Sequence, residues 1–575
     1  LRFPGLSAVM PGAARGLGAS RADLIVVPLV LAVLLSLGWQ ATRLAEPLDT
    51  GFAAVSLAPG PLVGYALRTT LRMVVGLVLS IVFALVYGTA AAKSRRAERV
   101  LIPLLDVLQS VPVLGYVAVF ITFFLALFPN RQIGAELAVV FALFTSQAWN
   151  LAFSLHQSLT TVPADLREAA RAFRFNAWRV FWRLELPFAM PGLIWNAMLS
   201  MAGGWFFVVA SEAITVGDTR IAVPGVGSYL ALAIARQDLV AIGWAALAMS
   251  AAILTLDQLL FRPLVAWTER FKAEHSAAAQ RHGSWALDLY RRARLANWAA
   301  RPVAAAARLA LRLPWPAARP ARVRVGGVAA GDIVWYLVLG AVLVNVGRQA
   351  YELIAADLGW GEVLWVILLG GRTAMRVALV TLAALVLWVP LGVAIGLRPR
   401  LARAAQPVAQ LLASFPANLL FPPAALAIVH WRLDPDLWLT GLFLLGSQWY
   451  VAFNAIAGAA AFPAELREAA RAFRMRGGMW WRRVMLPGIY PYILTGAVTA
   501  AGACWNASIV AEFVSWGDLT IEAHGLGAYI AHWTAAGDLG RVALGIAVMS
   551  RFVALSNRLV WRPLYNVAER HWRLD

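Results

Sequence analysis

Long apolar runs, separated by short charged stretches, dominate this chain. A helix needs about 20 apolar residues to cross a hydrocarbon core of about 30 Å. On that measure the first half predicts spans near 23–40, 63–92, 100–128, 133–158, 188–212 and 239–262. The second half predicts spans near 332–347, 372–397, 404–430, 437–460, 488–514 and 540–561. Pro112 and Pro416 fall inside the third span of each half and are expected to kink it. Basic residues gather in alternate loops: Lys93, Arg95, Arg96 and Arg99, then 163–185, 271–330, Arg398/Arg400/Arg403 and 464–485. The intervening loops hold acids instead, among them Glu46, Asp49, Glu136, Glu352, Glu362, Asp436 and Asp538. This asymmetry predicts that both termini and the basic loops face the cytoplasm.

Composition agrees with that pattern. Of 575 residues, 61% are hydrophobic and 14% charged, with mean hydropathy +0.69; a soluble enzyme or a disordered chain is excluded. The net charge of +20 is nearly all arginine and falls in the basic loops, so it reads as membrane topology rather than nucleic-acid binding. One cysteine, Cys504, excludes a disulfide within the chain and a cysteine-based metal site, and the seven histidines form no ligand spacing. The first 20 residues are rich in Gly, Ala and Arg rather than built as a signal peptide, so the first apolar run is expected to stay as an anchor.

The chain is one unit written twice. Pro163–Arg174 (PADLREAARAFR) and Pro463–Arg474 (PAELREAARAFR) agree at eleven of twelve positions, 300 residues apart. The same offset pairs Trp205 with Trp505, Glu212 with Glu512, Gly217-Asp218 with Gly517-Asp518, and Gly225-Val-Gly227 with Gly525-Leu-Gly527. Upstream the offset is 304, pairing Arg68 and Arg72 with Arg372 and Arg376. The units are 1–270 and 331–575, each of about six spans. An even number of spans gives both the same direction, so the repeat is parallel, with a pseudo-two-fold axis along the membrane normal. Between them, 271–330 is a linker with eleven Lys/Arg and two acids, expected to form amphipathic surface helices in part and an extended PWPAARPAR stretch. The copies are not identical: His156 and Asn150 stand where the second half has Ile456 and Tyr450.

The least diverged segments lie in the basic loops, not in the spans. Leu166, Ala170 and Phe173 fall at helical spacing, which predicts one apolar face. Ala169 and Ala170 are small enough for close approach, Pro163 suits the first turn, and Pro187 is expected to stop the element. Two near-identical copies point to a partner that presents the same surface twice. Glu-Ala-Ala-Arg-Ala-Phe-Arg followed by Leu186-Pro187, and its copy followed by Leu486-Pro487, resembles the EAA loop (here 163–187 and 463–487) of membrane subunits of type I binding-protein-dependent ABC importers. Thr70–Val74, Glu212 with Gly225-Val-Gly227, and their copies resemble the nitrate/sulfonate/taurine branch. The resemblance covers nearly all of both halves and implies an all-α polytopic protein of two tandem permease units. It implies that Leu166, Glu168, Ala169, Ala170, Phe173 and Arg174, with Leu466, Glu468, Ala469, Ala470, Phe473 and Arg474, couple to two copies of an ABC ATPase. ATP and Mg would be bound by that ATPase, with no cofactor in this chain. A periplasmic or lipid-anchored solute-binding protein and membrane lipids are the other partners implied, in a bacterial cytoplasmic membrane. The family usually has Gly where this chain has Arg174 and Arg474, so the turn there is expected to differ in shape.

Enzyme chemistry is not apparent. Lys93 follows Ala92 and Lys272 follows Phe271, so neither lysine belongs to a phosphate-binding P-loop. Ionisable and polar groups in spans are the candidates for the solute path. Arg68, Arg72, Arg372 and Arg376 could gather as one site for an oxyanion near the outer ends of the second spans; the competing readings are headgroup snorkelling or pairing with Glu212 and Glu512. Glu212 and Glu512 are also candidates for anchoring the loop that follows them. Gln109, Asn150, Asn196, Gln448, Asn454 and Asn506 either line a path or bond between helices. The rival function is a twelve-span secondary carrier with a parallel repeat, which needs no ATPase.

Overall fold

The chain is described by a computed structural model that covers residues 20–43, 46–47, 55–216, 219–271, 284–299, 301–302, 305, 324–325, 328–355, 358–517 and 519–571. Two helical units follow one another with the same order of elements. In each, a very long helix (Pro59–Lys93, Trp360–Gly396) packs against the fourth predicted span (Gln132–Thr160, Pro435–Ala460). Glycines set how closely these pairs approach. A Cβ on Gly88 would lie 2.9 Å from the Ala152 carbonyl oxygen, and one on Gly392 would lie 2.5 Å from the Ala455 Cβ. The next long helix (Ala177–Ser211, Gly477–Ala511) packs against the fourth in turn.

Eight described helices are long and apolar enough to cross a membrane, or nine if one bent pair counts as a span. The difference from the twelve expected lies in the first and third positions. The expected span 100–128 is two helices, Arg95–Ser110 and Val113–Leu127, separated at Val111-Pro112. Its copy is Pro399–Ser414, a 3₁₀ turn at Ala417–Leu420, and Phe421–His430, bent by 75°. Pro112 and Pro416 therefore break these elements rather than kink them: each is the extended residue that caps the following turn, as expected for a ring that fits a helix start but not its interior. The first helices, Asp23–Arg43 and Ala330–Ala355, are helical as expected. The second spans start earlier than hydropathy placed them, at Pro59 and Trp360, and reach roughly 52 and 55 Å at 1.5 Å per residue.

Pro187 does not stop a helix either. The helix Ala177–Ser211 runs through it by widening to a π-turn at Phe181–Glu185, and the second half does the same at Trp481–Met485 before Pro487. Further π-turns at Asp257–Phe261 and Asn557–Trp561 precede Pro263 and Pro563. A proline offers no N–H and crowds the carbonyl four residues back; opening the turn by one residue relieves that crowding.

Each unit then forms an antiparallel hairpin, with Ala213 paired to Ala222 and Phe513 to Glu522, followed by a short helix (Val226–Ala235, Leu526–Ala536) and a last long one (Leu239–Thr268, Leu539–Val567). Gly217, Asp218 and Asp518 at the hairpin tips lie outside the described residues, as do the N-terminal arginines Arg2 and Arg15 and most of the linker, including its PWPAARPAR stretch. The described linker helices Trp285–Arg292 and Arg294–Ala299 dock on the first span. Asp23 is the anchor, accepting the backbone N–H of Arg294 (3.1 Å) and Leu295 (2.9 Å).

The halves meet through direct contacts. Asn506 Oδ1 accepts the Val113 N–H at 2.9 Å, and at the related place Asn418, one residue past the counterpart of Val113, donates to the carbonyl of Phe206, the counterpart of Asn506, at 3.4 Å. Trp195 stacks on Phe453 at 5.7 Å, and the Gly517 N–H donates to the Ile234 carbonyl at 3.1 Å.

Candidate functional site

Two regions hold the residues singled out by the sequence. The first is the pair of loop helices, Ala164–Ala172 and Ala464–Ala472. Asp165 or Glu465 in the first turn and Arg171 or Arg471 in the last suit the helix dipole. Pro163 and Pro463 cap these helices from one position outside them. The expected single apolar face is split. Ala170 and Ala470 are buried, whereas Phe173 and Phe473 are 62% and 79% exposed. Leu166 is half-buried and Leu466 exposed; Glu168, Ala169, Glu468 and Ala469 all face outward. Each loop thus presents a glutamate, an alanine and an uncovered phenylalanine.

The reason lies at the helix end. Arg174 and Arg474 both adopt φ of 51°, in the left-handed region. The Phe175 N–H reaches back to the Ala170 carbonyl (3.1 Å) and the Arg174 N–H to the Arg171 carbonyl (2.9 Å), with Met475 and Arg474 doing the same. This is a Schellman-type stop that glycine would fill without strain. Arginine keeps the turn in the conformation glycine favours, against the expectation of a different shape, at a cost of about 1–2 kcal/mol for an L residue.

The second region is a buried clamp repeated in each half. Glu212 is fully buried and accepts the Thr69 hydroxyl (2.8 Å), Arg72 Nη1 (2.6 Å) and the Gly227 N–H (2.7 Å). Arg72 also donates to both oxygens of Glu136 and to the Pro224 carbonyl. In the second half Glu512 accepts Thr373, Arg376 (2.8 Å) and the Gly527 N–H (2.7 Å), while Arg376 reaches Asp436 at 2.7 Å. The Gly-x-Gly pattern now has a steric cause. A Cβ at Gly225 or Gly525 would lie 2.2 Å from the clamp carboxylate, and one at Gly227 or Gly527 within 2.4 Å of a backbone carbonyl oxygen. Glu212 and Glu512 therefore tie the long helix, the second span and the loop after the hairpin together.

The four arginines do not converge as one anion site. Arg72 and Arg376 are spent on separate clamps, each closed within its own half. Arg372 is exposed and stacks over Trp365 at 5.8 Å; Arg68 is half-buried. The polar candidates bond mainly between or along helices. Asn150 donates to Ser200 (2.7 Å), Asn196 to Ser154 (2.9 Å) and Asn454 to the Tyr450 carbonyl (2.8 Å), and Gln448 accepts Trp388 (2.9 Å). Gln109 is exposed. Glu136 and Asp436 were not singled out for the clamps, since they stand 64 and 60 residues from their arginines. Gln147 was also missed: it is fully buried, and its amide has no partner among the described residues. The signal was available as an amide inside the predicted span 133–158, three residues before Asn150.

The sequence matches the family described as binding-protein-dependent transport system inner membrane component over residues 76–264 and again over 388–560. The chain belongs to that family. The two matches are the two units of the repeat, which establishes the duplicated permease architecture. Among relatives, the glycine betaine/proline betaine transport system permease protein ProW of Escherichia coli (strain K12) is 26% identical over 212 residues, 37% of this chain and 56% of that protein. The bicarbonate transport system permease protein CmpB of Synechococcus elongatus is 28% identical over 183 residues, 32% of this chain and 64% of that one. The nitrate import permease protein NrtB of Leptolyngbya laminosa is 28% identical over 187 residues, 32% and 63% of the two chains. This permease chain thus spans a little over half to just under two thirds of the length of each of these relatives.

Proposed function

We propose that this chain is the fused, pseudo-dimeric permease of an ATP-driven importer, moving a small organic or inorganic anion across the bacterial cytoplasmic membrane by alternating access. The observation that carries this is the pair of exposed loop helices, one per family unit, each projecting Glu168/Phe173 or Glu468/Phe473 where these side chains are exposed among the described residues. The same phenylalanine exposed beside the same glutamate in two near-identical segments supports a docking surface used twice. Two copies of an ATPase would dock there, bind ATP and Mg, and drive the halves against each other; a solute-binding protein would deliver solute at the opposite face. The basic loops support a cytoplasmic position for the loop helices and both termini. An anion as solute is supported by relatives named for bicarbonate and nitrate import. The clamps are read as scaffolding, since their arginines are already paired.

The test is co-purification of the intact chain with its ATPase. Glu168→Lys/Glu468→Lys should lose the ATPase while inserting normally. Undiminished ATPase on the double variant would overturn the reading.

A further inference from the structure

Beneath the first loop helix lies a cavity of about 260 Å³. Its wall includes Lys93 at the end of the long helix, Arg167 and Arg171 one turn apart on the loop helix, and Glu185 in the π-turn. That is three cations around one acid. Lys93 Nζ donates to both oxygens of Glu185 at 2.5 Å, which neutralises one pair and leaves two guanidinium groups. Arg167 spends Nη2 on the Leu159 carbonyl at 2.7 Å, but its Nε is buried without a partner among the described residues. A buried donor in a cationic cavity calls for an acceptor, and the described residues supply none.

The second half serves as an internal control. At the same place in the repeat, Lys93 and Glu185 become Leu397 and Met485. Met485 is fully buried with Val393, Ala459, Phe462 and Ile489, and Leu397 and Trp480 pack on that cluster. The second copy has a packed apolar cluster there, although Arg467 and Arg471 are retained on its loop helix. Charge and space coincide in the first half.

We propose that this cavity binds a phosphate group between Arg167 and Arg171, beside the Lys93–Glu185 pair, carried either by inorganic phosphate or by an anionic phospholipid. Two guanidinium forks suit the oxygens of a tetrahedral anion. The cavity sits at the end of a long span, on the side of the basic loops, where either source could reach it. A bound phosphate would bridge the loop helix to the second span in one half only; that consequence for coupling rests on the function proposed above, whereas binding itself does not.

The test uses the full chain in phosphatidylcholine nanodiscs, with no ATPase present, so the docking reading can fail while this site stands. One arm titrates inorganic phosphate by calorimetry at fixed ionic strength; the other counts retained phosphatidylglycerol by native mass spectrometry. Arg167→Gln/Arg171→Gln should weaken binding about tenfold or more per arginine, and Arg467→Gln/Arg471→Gln should leave it unchanged. Lys93→Leu/Glu185→Met, which installs the pair the second half already packs, should abolish binding with the fold intact. A response in either arm that follows this order supports the site and names the source. No binding in both arms, or equal loss from the two arginine pairs, overturns it.

Discussion

The clamp at Glu512 allows a quantitative test, because the only cysteine reports on it. Cys504 is fully buried on the same helix, Gly477–Ala511, so a thiol-reactive fluorophore labels it only when that helix opens. Glu512→Leu removes a carboxylate that holds Thr373, Arg376 and the Gly527 N–H. Breaking a buried ion pair from one side typically costs about 3–5 kcal/mol. Arg376 keeps Asp436, which is 42% exposed, so the loss should fall near the lower end, about 3 kcal/mol. Arg376→Met/Glu512→Leu removes both charges. The remaining loss is then the unpaired Gly527 N–H and Thr373 hydroxyl, about 1–3 kcal/mol each, which Glu512→Leu alone leaves unpaired as well. The double variant should therefore be no less stable than Glu512→Leu alone, although it carries more substitutions. The assay is the temperature and denaturant dependence of Cys504 labelling for wild type, both single variants and the double. Simple additivity of the two single losses would refute the argument that the charges act as a pair.

Two further predictions concern the loops and the linker. Arg174→Gly and Arg474→Gly should each stabilise the chain by about 1 kcal/mol, read as delayed thermal unfolding, because glycine adopts a φ of 51° without penalty. Reduced ATPase retention by the same variants would show that the arginines are kept for contact rather than conformation. Asp23→Ala should free the linker helix that its carboxylate caps at Arg294 and Leu295, and limited proteolysis should then cut within 284–299. Unchanged proteolysis would show that Tyr290 and Trp285, bonded to Leu259 and Gln258, hold the linker alone.

The repeat, the two units and the loop helices were legible because near-identity at a fixed offset survives without any knowledge of the fold. The clamp was half legible. Arg72 and Glu212 stood out as charges in apolar runs, but Glu136 and Asp436 look like ordinary loop acids until the chain folds back on itself. Apolar counting failed at 100–128, where Pro103 and Asp106 sit within an amphipathic helix that only resembles half a span. It also misjudged Pro187, since a π-turn lets a helix absorb a proline and leaves no mark in composition. The Lys93–Glu185 pair escaped notice because aligning it with Leu397 and Met485 needs two different offsets at once.

Gln147 and Gly204 carry a consequence of their own. A Cβ on Gly204 would come within 2.8 Å of Met73 and 3.3 Å of the Gln147 amide, whereas the equivalent pair in the second half is Ser447 and Cys504. A large residue faces no side chain in one copy, and two small ones face each other in the other. Neither half could accept a single residue from its sibling without a collision or a void. In a symmetric dimer of one gene product every change lands on both sides together; here each copy has settled its own account of volume. Gln147→Ser alone should therefore leave a void and destabilise the first half, and adding Gly204→Cys should recover part of that loss, read as thermal unfolding.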